Sequence, residues 1–397
     1  MIKQSVFIGL TALAFTATSV GAITNDQLNK KINSQNKKIK QLQQQINATA
    51  SAVDSQSKVS WADKTTIGGY GELHFNAKQY NSDNQVDAHR FVIFLSHDYS
   101  EKVKFFSELE LEHSLAGDGK PGEVELEQAY IQWQFSKNHR LTSGLFLIPV
   151  GILNETHEPN TFYGTERNSL EKRIIPATWW ETGVMFSGNL AKGLSYDIAL
   201  HSGLNATSES ETMTVESSEI KTTKSVKYAD IRSGRQKSAK ADANNSAYTA
   251  RIKYTAIPGL ELAASVQVQE DITQGTDGLT PTSANLYTAH AVYQTGKFAL
   301  RSVYAAWDVA GDVYDATSKV NLSGWYIEPA YKLTEQLGLF VRHTQIDDET
   351  KEDDYVKEVS YGVNYWLDPQ VVFKLDVADD QTDDDKDSIN LGMGWSF

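Results

Sequence analysis

The stretch 149–179 sets Glu155, His157, Glu158, Glu166, Arg167, Glu171, Lys172 and Arg173 close together, acidic and basic side by side. Facing one another across a narrow aqueous gap, such groups create a transverse field that orders water and polar solutes, while rings of charge select ions. Period-two segments elsewhere carry a similar mixture on one face. The basic members are Arg90, Lys104, Arg251, Lys253, Arg301, Arg342 and Lys374. The acidic members are Glu72, Glu108, Glu110, Glu112, Asp197, Glu261, Glu328 and Asp376. The two sets nearly cancel, with the acids dense over 108–112 and the bases mostly in the second half. Bond-making chemistry finds little support. The 9 histidines are scattered, none in a His-Glu-x-x-His spacing. Neither a Gly-x-Ser-x-Gly elbow nor a phosphate-binding glycine loop is present. No catalytic residue, metal ligand set or cofactor is therefore assigned. A hydrolase with a Ser/His site on the outside of the fold is the enzymatic alternative.

Charged groups need elements to hold them. The chain has 397 residues, 40% of them hydrophobic, with 15 Phe, 8 Trp and 18 Tyr. Its net charge of −14 argues against a nucleic-acid partner, which calls for a basic footprint. With 0 cysteines, disulfides, thiolate metal sites and cysteine nucleophiles are excluded. Residues 1–22 read as an export signal, with Lys3 ahead of an apolar run and Val20-Gly21-Ala22 at the cleavage site. Residues 23–58 form the next region. Ile32, Ile39, Ile46 and Val53 occupy one seam of a heptad pattern, and Leu28 and Leu42 the other. That period predicts a left-handed coiled coil. A helix this polar needs identical neighbours, which argues for a homo-oligomer without fixing its copy number.

From Thr65 the period falls to two. Leu194, Tyr196, Ile198 and Leu200 alternate with Ser195, Asp197 and Ala199; Tyr248, Ala250, Ile252 and Tyr254 alternate with Thr249, Arg251 and Lys253. About sixteen such segments fill 59–397, joined alternately by short turns and by long connections at 149–179, 204–246, 270–284, 308–321, 346–355 and 380–386. An even number of strands with short turns at one rim and long loops at the other predicts an all-β antiparallel transmembrane barrel. Trp133, Tyr254, Tyr293, Trp366 and Trp395 near strand ends suit an interfacial aromatic girdle. The alternating run Ile389, Leu391, Met393, Trp395, Phe397 resembles the signal by which outer-membrane barrels are recognised for insertion. The connection 149–179 is expected to fold inward as a constriction. The basic stretch 221–240 is expected to be a flexible external loop rather than an anion-attracting patch in the channel. The acidic clusters at 347–354 and 383–385 are expected in external loops, solvated or bridged by cations to lipopolysaccharide.

At Gly71-Glu72-Leu73-His74, at Ala88-His89-Arg90-Phe91-Val92-Ile93, at Glu127-Gln128-Ala129-Tyr130, over Gly144–Gly151 and at Glu166-Arg167-Asn168, the chain resembles the phosphate-selective porins O and P. The resemblance implies a sixteen-stranded homotrimeric outer-membrane channel. Its phosphate-selective members line the pore with arginine and lysine, which here carries over to Arg90 and Arg167. The paired arginines expected near strand two read His89-Arg90, and 221–240 lacks a regular arginine ladder. The expectation is a porin passing small hydrophilic solutes and ions, with anions such as phosphate among them. It sits in outer-membrane lipid with its coiled coil in the periplasm. The alternative reading is a tether linking the outer membrane to the cell wall.

Overall fold

The structure, a computed structural model, describes residues 25–56, 60–78, 84–216, 219–310, 321–349, 355–383 and 386–397. The expected export signal, residues 350–354 and residues 384–385 of the acidic clusters lie outside the described residues, while Asp347, Asp348 and Glu349 belong to a strand rather than to the loop expected for them. Two compact units emerge, dividing after Asp63.

In the first, the described residues include the helix α1 (Asn25–Gln56), with neither Gly nor Pro to interrupt it. Its seam residues Leu28, Ile32, Ile39, Leu42 and Ile46 are all exposed, from 46% to 63%.

The second is a closed barrel. It runs through β1 (Thr65–Lys78), β2 (Gln85–Asp98) and β3 (Val103–Glu112), then past a two-strand ribbon, β4 (Ala116–Gly117) with β5 (Lys120–Pro121). It continues through β6 (Val124–Trp133), β7 (His139–Leu147), β8 (Trp180–Ala191) and β9 (Leu194–His201). A separate hairpin, β10 (Thr207–Glu216) and β11 (Glu219–Tyr228), interrupts the series. Then follow β12 (Ala247–Tyr254), β13 (Leu260–Gln269), β14 (Ala284–Thr295), β15 (Phe298–Val309) and β16 (Asn321–Lys332). The last are β17 (Leu337–Glu349), β18 (Tyr355–Asp368), β19 (Val371–Asp380) and β20 (Ser388–Ser396). Without the ribbon and the hairpin, sixteen antiparallel strands close the sheet. β20 pairs back onto β1, and Gly69 and Phe397 exchange both backbone hydrogen bonds, 3.0 and 2.9 Å. No edge is left unpaired, as a lipid environment demands.

The barrel turns ordinary burial inside out. In β9, Ile198 is 53% exposed and Asp197 only 4%; in β17, Val341 is 49% exposed and Arg342 4%. Apolar residues face outward for lipid, and charged residues face the lumen.

One arc departs from this rule. Leu286, Val303, Ala305, Trp307, Leu322, Tyr326 and Ile346 of β14–β17 point inward and are buried. They form a core with Ile148, Val150, Leu170, Ile174, Ile175 and Trp179 of the 149–179 connection. The lumen is therefore partly filled by a hydrophobic wedge. Trp366 also departs from the girdle expected of it. Its ring meets Tyr163 edge-on at 5.6 Å, inside the barrel, because alternation in β18 turns its neighbour Tyr365 outward instead.

Candidate pore constriction

The 149–179 connection leaves β7, crosses the lumen and returns to β8, stitched to itself first. Asn154 donates to the carbonyls of Ile148 (2.7 Å) and Trp179 (3.0 Å) and accepts the Trp179 N–H (2.6 Å), clipping the two ends together. Deeper in, Glu171 of the short helix α2 (Leu170–Arg173) is fully buried. One of its oxygens accepts the N–H groups of Ile152 (2.5 Å) and Leu153 (2.7 Å); the other accepts from Asn168 (3.0 Å) and Tyr326 (3.1 Å). The chain reaches this carboxylate only because residue 151 is glycine. Its φ is +67°, and a Cβ there would lie 2.5 Å from Glu171 Oε1.

Inward-facing charges then fasten the loop to the wall. Arg251 sits between Asp197 (2.7 Å) and Glu155 of the loop. Arg301 donates to the Thr161 carbonyl and Lys374 to that of Gly164 (2.8 Å), while Asp376 accepts the Thr165 N–H (2.7 Å). Glu166 takes hydrogen bonds from His74 (3.0 Å) and Asn76 (3.1 Å). Burial opposes ionisation of the Glu166 carboxyl, but the His74 contact dominates and holds it well below the usual carboxylate range. Arg342 pairs with Glu328 at 3.1 Å. Much of the inward charge is thus spent on positioning the loop.

Two cavities within the barrel adjoin the loop. One, of about 330 Å³, is lined by Arg90, Arg167, Lys172, Arg232, Arg235 and Lys237, with Glu72, Glu112, Glu125, Glu127 and Glu166. The other, of about 410 Å³, is lined by Phe94, Glu108, Gln128, Tyr130, Arg140, Glu155, His157 and Glu158 among others. Strand direction places the first toward the rim of long loops and the second toward the rim of short turns. Between them, His157 lies 3.5 Å from Glu108 and 3.6 Å from Glu127. Burial would lower the His157 pKa, but the two carboxylates outweigh it and raise it to about 10. A β-bulge between β3 and β6 lets Glu125, Glu127 and Gln128 all turn inward.

The stretch 221–240 is corrected by the structure. It is not simply an external loop: its first part is the β11 strand, and its second part comes to the constriction. Arg232 donates to the Lys172 carbonyl, and Arg235 to those of Pro176 (2.9 Å) and Thr178 (2.6 Å). Lys237 pairs with Glu123 (3.3 Å) and Glu125. Burial and the neighbouring Arg232 bring Arg235 down to about 10, so it stays charged at neutral pH. Ile231, flanked in sequence by Asp230 and Arg232 but buried at 2% in the hydrophobic core, is the sequence signal that marks this anchor.

Among the residues singled out from sequence, Glu72, Arg90, Arg167, Glu112, Glu166 and Lys172 line the outer cavity. Glu108, Glu155, His157 and Glu158 line the inner one. Arg90 is tied to Glu72 (2.7 Å) and Glu110 (3.4 Å). Lys253 approaches Glu261 (4.0 Å), which also meets His290 (3.1 Å), lower in the barrel. Lys104 is exposed at the start of β3, beside a short turn. Arg173 is half-buried in α2. Arg232, Arg235, Lys237, Glu125 and Glu127 belong to the site although their inward role was not read from sequence.

Comparison with known proteins agrees with this architecture. An uncharacterized protein of Aquifex aeolicus (strain VF5) is 29% identical over 375 residues, 86% of this chain and 82% of its own length. Salmonella typhi OmpF, solved with daunomycin, superposes with a TM-score of 0.58 at 12% identity, over 84% of this chain and 97% of that one. An anion-selective porin from Comamonas acidovorans superposes with a TM-score of 0.56 at 10% identity, over 84% and 99%. These likenesses concern the fold alone. Residues 66–390 match the description of the phosphate-selective porins O and P, and with the closed barrel and its inward loop in place, the chain belongs to that family and is an outer-membrane channel.

Proposed function

We propose that the channel passes small hydrophilic solutes by diffusion with a bias toward anions, set in the outer cavity. The observation that carries this reading is Arg167. One of its nitrogens bonds Thr178 (2.7 Å), while Nε and Nη2 have no hydrogen-bond partner among the described residues. Arg232 and Arg235 add to it, since they donate to carbonyls and their charge meets no carboxylate in those contacts. Six cationic side chains against five carboxylates give the cavity a modest positive excess. Phosphate is one anion with suitable chemistry, because guanidinium forks match its oxygens. Reversal potential in a planar bilayer under a KCl gradient tests the bias. Anion preference, with conductance reduced by added phosphate, is the expected result; cation preference would sink it.

The working unit in this reading is a homotrimer, with α1 forming a periplasmic coiled coil. Exposed isoleucines and leucines at the two seam positions support it, because water is a poor neighbour for that stripe and two further copies of the same helix are a good one. A peptide spanning 25–56 is expected to gain helicity as its concentration rises and to sediment as a trimer. A peptide that stays monomeric would remove the coiled coil. Domain limits of 23–58 for the periplasmic segment and 59–397 for the barrel follow from the same reading.

A further inference from the structure

Three groups of side chains in the described residues bring metal-ligating atoms together. In one, His89 and His113 both bond the same Asp87 oxygen, at 2.9 and 2.8 Å, so the cluster is already satisfied. In another, Glu123 and Glu125 hold Lys237 beside Glu112. The third differs. Glu108, Glu127 and His157 are exposed by only 1%, 2% and 3%, yet Glu108 Oε1, Glu127 Oε2 and both ring nitrogens of His157 lack a hydrogen-bond partner among the described residues.

Their spacing suits an ion. His157 Nε2 is 3.5 Å from Glu108 Oε1 and 3.6 Å from Glu127 Oε2, too long for strong hydrogen bonds. Ligands about 2.1 Å from one tetrahedral ion stand about 3.4 Å apart. Gln128 donates to the other Glu108 oxygen at 2.6 Å, leaving Oε1 turned to the imidazole. The Tyr70 ring meets the imidazole edge-on at 6.0 Å and helps fix its plane. Support of this kind orients metal ligands. Glu127 lines the outer cavity while Glu108 and His157 line the inner one, so the group stands at the boundary between the two.

We infer that Glu108, Glu127 and His157 form a binding site for a divalent transition-metal ion of the zinc class, placed between the two cavities of the channel. One imidazole with two carboxylates favours such ions over magnesium or calcium, which prefer all-oxygen cages. The incoming cation takes the place of the imidazole proton and neutralises the two carboxylates. Binding is a property of the folded chain and does not depend on the channel's ion preference.

The test is zinc binding to the purified full-length protein in detergent, by calorimetry and by elemental analysis after dialysis. One tight zinc per chain is expected, with affinity falling at least about tenfold in His157→Ala and in Glu127→Gln and unchanged in His113→Ala. Glu127→Gln keeps the side-chain volume and serves if His157→Ala does not fold. Excess magnesium should not displace the zinc. Failure to bind zinc, binding that survives both substitutions, or binding lost in His113→Ala instead would each overturn the assignment.

Discussion

Replacing Glu171 by alanine is expected to free the inner loop and raise single-channel conductance while the barrel itself stays closed. The carboxylate accepts from four donors, the Ile152 and Leu153 N–H groups, Asn168 and Tyr326, and the bonds from the last three are buried. Each buried donor left unsatisfied costs about 1–3 kcal/mol, so loss of the whole knot destabilises the loop by about 3 kcal/mol or more. The sixteen-strand ladder does not pass through Glu171, which confines the damage to the lumen. Conductance and limited proteolysis check this together. Higher conductance with new cleavage between 149 and 179 is the expected result, and unchanged conductance would mean that the loop does not set the aperture. Glu171→Gln, which keeps the shape but weakens the charge-assisted bonds, should fall between the two.

Arg167→Glu is expected to move the reversal potential toward cations more than any other single change in the outer cavity. The substitution alters local charge by two units beside a space of about 330 Å³. A shift of about 1.4 kcal/mol in the relative barriers for anions and cations is already a tenfold change in their permeability ratio. Unit charges about 4 Å apart interact by several kcal/mol at the effective dielectric of a protein surface, so such a shift is within reach. Arg90→Glu should act differently. Arg90 lies between Glu72 and Glu110, and its removal strands two buried carboxylates, so folding suffers before selectivity can be read. An unchanged reversal potential in Arg167→Glu would take that residue out of the ion path.

The strand architecture was open to reading because most segments obey one rule on each face. In β9 and β12, every second residue is apolar and every residue between is polar or small, so strand limits and inward positions such as Asp197 and Arg251 follow from period alone. The rule loses its force where both faces are apolar. Leu286, Val303 and Trp307 face the lumen from strands whose outer faces carry Tyr287 and Tyr304, and alternation does not reveal which side is wet. The wedge exists because of a partner distant in sequence, the loop carrying Leu170, Ile174 and Trp179. The bulge at Glu127 is likewise invisible to a strict period, since it brings consecutive residues to one face. Arg232 and Arg235 read as part of a flexible external stretch because Ser, Lys and Ala surround them and Ile231 alone marks an anchor. The Glu108, Glu127 and His157 group draws on two strands and a loop, so no local spacing announces it.

The wedge against β14–β17 has a further consequence, for how strongly the residues opposite it act. The charged arc of β1, β2, β3 and β6 faces it across the closed sheet. Water is thereby displaced from the barrel axis toward that arc, and a passing ion has a weakly polarisable flank on one side and fixed charges on the other. A low-dielectric wall concentrates field lines rather than absorbing them. The few side chains of the charged arc therefore exert more influence on an ion than the same groups would in an open, water-filled barrel of equal diameter.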